Sequence, residues 1–159
     1  MKINTGESGK GLILLGIVIS LLVVSVIMMI SMGTMVRKQT EQLAERSDGI
    51  HARYAAESVI HYILYDMYES RVATQTDVDT LLASYTSRYP FPVSLASLPY
   101  LNDKFDENCK FYIGSAGAPS HTHAIFIYGI YKSKTRAMKK LKIRFQYDKG
   151  VVKLAYLNP

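Results

Sequence analysis

Few places in this 159-residue sequence combine side chains that could do chemistry. His121-Thr122-His123 sets two imidazoles on one face of an extended stretch. Two ligands fall short of a zinc site, and the same residues read as an ordinary junction of turn and strand. The run Asn102 to Asn108 bunches Asp103, Asp106 and Glu107, oxygen ligands of the kind calcium takes. Their spacing is not that of an EF-hand loop, and a solvated acidic loop is the alternative reading. Lys140, Lys142 and Arg144 alternate with Leu141, Ile143 and Phe145, which places the three cations on one wet strand face. Such a face attracts polyanions, DNA or an anionic cell-wall polymer, through counterion release. It also guards a sheet against aggregation, which is the plainer reading.

No catalytic constellation accompanies these groups. There is no G-x-S-x-G, no P-loop, no H-E-x-x-H and no cluster of cysteine ligands. The expectation is therefore a non-enzymatic protein without a cofactor. The single cysteine, Cys109, opens an apolar run and reads as a buried thiol; one cysteine excludes a disulfide-stapled scaffold. The net charge of +6 is unevenly placed. Residues 132 to 159 hold nine basic residues and one acid, so the excess belongs to the C-terminal segment.

The elements that must position these residues start with a long apolar run. Residues 12 to 36 carry no charged side chain. As a helix they would extend about 37 Å, enough to cross the roughly 30 Å hydrocarbon core of a bilayer. The run is too long for a cleaved secretory signal, and no small-x-small site follows it. Basic residues are nearly balanced across the span (Lys2 and Lys10 before it, Arg37, Lys38 and Arg46 after), so charge does not set its orientation. Gly16 and Ser20 lie four apart on one helix face, where small residues let helices approach closely in lipid.

Residues 37 to 70 continue as an amphipathic helix. Ala52, Ala56, Val59, Ile60, Ile63, Leu64 and Met67 form its buried stripe, with Arg53, Glu57, His61 and Asp66 on the other face. Residues 71 to 108 read as a short helix, capped by Thr76 with Asp77 and Asp79 in its first turn, followed by loop; the prolines at 90 and 92 end the helix. From Cys109 the period changes to two, and residues 109 to 159 read as about four antiparallel strands. The expected fold is α+β: a long N-terminal helix packed on a C-terminal antiparallel sheet.

The order of these parts resembles the type IV pilin superfamily, and within it the PilX-type minor pilins and the minor pseudopilins of type II secretion. The residues that carry the resemblance are Lys10-Gly11-Leu12 before the apolar helix and Ala55-Ala56-Glu57 beyond it. The resemblance implies a leader of residues 1 to 11, cut by a prepilin peptidase between Gly11 and Leu12. It implies a single-pass subunit of the cytoplasmic membrane, its C-terminal domain extracytoplasmic. Its partners would be other pilin or pseudopilin subunits and an inner-membrane assembly platform, in a pilus, competence or secretion fibre. Most pilins carry Glu at the fifth mature position, where this chain has Gly16. A charge in hydrocarbon is tolerated mainly when paired. A subunit without that carboxylate suits the fibre tip or the start of assembly. The competing expectation is a membrane-anchored ligand-binding or sensor domain that forms no fibre.

Overall fold

The computed structural model describes residues 6–99, 101, 107–115, 124–132 and 137–157, with the backbone alone for 6–10. Helix α1, Gly6–Glu69, runs through Lys10-Gly11-Leu12 and through Gly49 without interruption. The chain forms two compact units, Met1–Ala44 and Glu45–Pro159.

In the first unit every described side chain from Gly11 to Ala44 is exposed. This part of α1 is long and apolar enough to cross a membrane, and among the described residues no other helix is. Two of its hydroxyls are satisfied within the helix: Ser20 Oγ donates to the Gly16 carbonyl at 2.9 Å and Thr34 Oγ1 to that of Ser31 at 2.8 Å. That suits hydrocarbon, where a polar group without a partner costs several kcal/mol.

The second unit is the α+β domain. Ala52, Ala55, Ala56, Val59, Ile60, Ile63 and Met67 are buried along one side of α1; Leu64 is only partly covered. They face an antiparallel sheet of five strands rather than about four: β1 Val93–Ser94, β2 Cys109–Ser115, β3 Ala124–Tyr131, β4 Met138–Asp148 and β5 Val151–Leu157, in sequence order. The additional strand is β1, two residues in the stretch expected to be loop, paired Val93 to Phe111. Phe111, Ile113, Ile125, Ile127, Ile143 and Phe145 fill the inner face, each 2% exposed or less. The period-two alternation sends their neighbours outward.

Helix α2, Gln75–Arg88, closes one end of this core with Val78, Leu82 and Tyr85. Its N-cap is Thr74, two residues before the expected Thr76. The Thr74 hydroxyl accepts the Asp77 N–H, and the Asp77 carboxylate accepts the Thr74 N–H at 2.9 Å. This reciprocal capping box satisfies two orphan amides that Thr76 could not reach.

Candidate functional site

Gly16 and Ser20 share one exposed helix face, as their spacing requires, and a Cβ on Gly16 would meet nothing within 4 Å. The face is therefore open to a close-packing neighbour. Lys10, Gly11 and Leu12 are helical, with Gly11 and Leu12 exposed. Ala55 and Ala56 are fully buried, while Glu57 holds Arg53 at 2.8 Å on the outer side. The two alanines thus serve the contact with the sheet.

Beyond the buried stripe, α1 has a second face that sequence reading missed. Ile50, Tyr54, Tyr65 and Tyr68 are 53%, 58%, 46% and 79% exposed. At about 100° per residue they gather, with exposed His61, on one side of the helix, roughly opposite the stripe that meets the sheet. The signal was present as spacings of three, four and seven. It was obscured because charged residues, Arg53 and Glu57, flank the apolar ones. Asp66, expected on the solvated face, is instead half-buried and accepts a hydrogen bond from the Tyr85 hydroxyl at 2.8 Å. Burial first, and then Asp66, push the Tyr85 hydroxyl well above the ordinary tyrosine value.

The basic residues separate into different environments. Lys140, Lys142 and Arg144 share the outer face of β4, as the alternation predicts; Lys140 and Arg144 are exposed and Lys142 is half-buried. Lys139 faces the other way, its side chain 3.6 Å from where a Gly49 Cβ would stand. Lys132 reaches Asp48 of α1 at 3.4 Å and lies over the Tyr131 ring, which also stacks on His51 at 4.6 Å. The hydrogen bond and charge of Asp48 raise the Lys132 ammonium above its ordinary value. Lys132 thus ties the sheet to α1.

Cys109 is buried, as expected. Asp103, Asp106, His121 and His123 lie outside the described residues, and Glu107 sits in an exposed turn. Among the described residues no group of three or more His, Cys, Asp or Glu could hold a metal ion. Comparison of the chain with protein-family models, with curated proteins and with solved structures gives no match.

Proposed function

We propose that this chain is a non-enzymatic minor pilin or pseudopilin, held in the cytoplasmic membrane by residues 12 to 36 and drawn into a fibre with other subunits. The observation that carries this reading is the two-sided α1. One stripe is consumed by the sheet, while Ile50, Tyr54, Tyr65 and Tyr68 form a second, exposed one. A helix that only tethered a domain to a membrane would have no use for that second stripe. A helix packed in a fibre has neighbours on its outer side, and amphipathic patterning records such contacts. Gly16, where most pilins have Glu, favours a place at the tip or in initiation.

The test is the intact mass of the protein from its native membrane, with and without the prepilin peptidase. Loss of residues 1 to 11 that depends on the enzyme is expected. A full-length mass in both strains overturns the reading in favour of a membrane-anchored ligand-binding domain.

A further inference from the structure

The outer side of the sheet combines a row of cations with aromatic rings on adjoining strands. Tyr112 on β2 and Tyr128 on β3 are cross-strand partners, stacked with centroids 4.2 Å apart and planes 4° from parallel. Phe126, on the same face of β3, lies 6.2 Å from Tyr128. On β4, Lys140 is opposite Tyr128, Lys142 opposite Phe126 and Arg144 opposite Ala124. The Lys140 ammonium sits 3.7 Å from the Phe126 centroid, and that of Lys142 5.7 Å. All three rings are half-buried, so part of each remains accessible.

The three cations of β4 keep their charge on this face, where Lys153 and Asp148 pair with each other. Arg53, Lys132 and Lys153 each have a carboxylate partner, in Glu57, Asp48 and Asp148. Among the described residues no carboxylate pairs with Lys140, Lys142 or Arg144. Cation–π contacts hold the two ammonium groups near the rings, which lowers the ordering cost of binding an anion. Alternate residues on a strand are about 7 Å apart, the scale of successive phosphates along an extended single strand. Among the described residues the face projects no helix or ribbon to enter a duplex groove. Rings beside a basic track suit a ligand whose bases stack on aromatic side chains while its phosphates meet the cations.

We infer that the face formed by Tyr112, Phe126, Tyr128, Lys140, Lys142 and Arg144 binds single-stranded nucleic acid. The phosphates run along β4 and the bases lie against the rings of β2 and β3. The inference stands apart from leader removal and fibre assembly, since binding is read on the purified chain.

The experiment uses full-length protein in detergent micelles and a fluorescent oligothymidylate, followed by anisotropy across a salt series. Three phosphate contacts give a slope of log K against log salt of about −2. The triple variant Lys140→Ala/Lys142→Ala/Arg144→Ala is expected to lose at least tenfold in affinity and most of that slope. Phe126→Leu and Tyr128→Leu keep the face covered by apolar side chains. They are expected to weaken binding by roughly tenfold with the slope unchanged, and Tyr128→Phe to restore most of it. Thermal melting confirms that each variant is folded. The inference is overturned by absence of binding at low salt, or by a folded triple variant that binds like the parent. It is also overturned if duplex binds more tightly than single strand, or if the leucine variants bind unchanged while heparin competes equally well. Those last results describe an unspecific cationic surface.

Discussion

Gly129 of β3 and Ala52 of α1 meet backbone to backbone. A Cβ on Gly129 would stand 1.9 Å from the Ala52 carbonyl oxygen and 2.8 Å from the Ala56 nitrogen. Neither neighbour is a side chain that can turn aside, so the helix itself would have to lift from the sheet. Gly129→Ala is expected to destabilise the domain by about 3 kcal/mol, the upper range for overpacking. Urea unfolding of the full chain in micelles checks it; a loss below 0.5 kcal/mol would show that the helix moves at little cost.

Tyr85 and Asp66 join α2 to α1 through one hydrogen bond. Because folding raises the Tyr85 value, the folded chain keeps this proton where the unfolded chain gives it up. Its contribution is present below the ordinary tyrosine value of about 10 and is lost as pH rises beyond it. Tyr85→Phe is expected to cost about 1 kcal/mol at neutral pH and to flatten the alkaline loss of stability. Unfolding midpoints between pH 7 and pH 11 test both parts.

The Gln75 side chain completes β4 where β3 ends. Among the described residues β3 starts at Ala124, opposite Arg144, so Phe145 to Tyr147 have no β3 partner. The Tyr147 N–H donates to Gln75 Oε1 at 2.7 Å, and Gln75 Nε2 donates to the Phe145 carbonyl at 3.4 Å. The side-chain amide stands in for a backbone peptide. Gln75→Ala is expected to cost about 1–2 kcal/mol, and amide exchange at Tyr147 is expected to accelerate.

The Thr74–Asp77 box makes the start of α2 sensitive to acid. Bonds from the Thr74 side chain, then the Ala73 and Thr74 amides, hold the Asp77 carboxyl below its ordinary value. The contribution is present above the ordinary carboxylate pKa of about 4 and is lost as pH falls through the lower folded value. Thr74→Ala is expected to cost about 1 kcal/mol. Asp77→Asn is expected to reduce the acid dependence, read from melting temperatures between pH 7 and pH 2.

The outer stripe of α1 should matter to assembly and not to folding. Ile50→Asp and Tyr54→Glu change exposed positions, so thermal stability is expected within about 0.5 kcal/mol of the parent. Incorporation into fibres, read by labelling sheared filaments, is expected to fall sharply. Normal incorporation of both variants would remove the stripe as the packing surface.

Much of this molecule was legible in residue order because its signals are local. The uncharged run from Leu12 to Val36, the helical spacing from Ala52 to Met67 and the alternation along β4 each announce an element over a few turns or a few pleats. Packing then selects the same faces. The order of β2 to β5 also follows from the chain, since few residues separate these antiparallel strands and a meander is the direct route.

What the tertiary structure alone decided are the pairings across distance. Asp66 looked solvated until α2 delivered Tyr85 to it. Lys132 belonged to a basic run until the end of β3 brought it to Asp48. Phe126, Tyr128 and Tyr112 gained a common face with Lys140 and Lys142 only when strand register was set. Register depends on which rows of side chains interlock between strands far apart in sequence, and no local pattern carries that information. The spacing of Leu12 to Met67 could specify a helix. Only the tertiary structure decided how closely the sheet approaches that helix, since the bare Gly129 admits the Ala52 backbone.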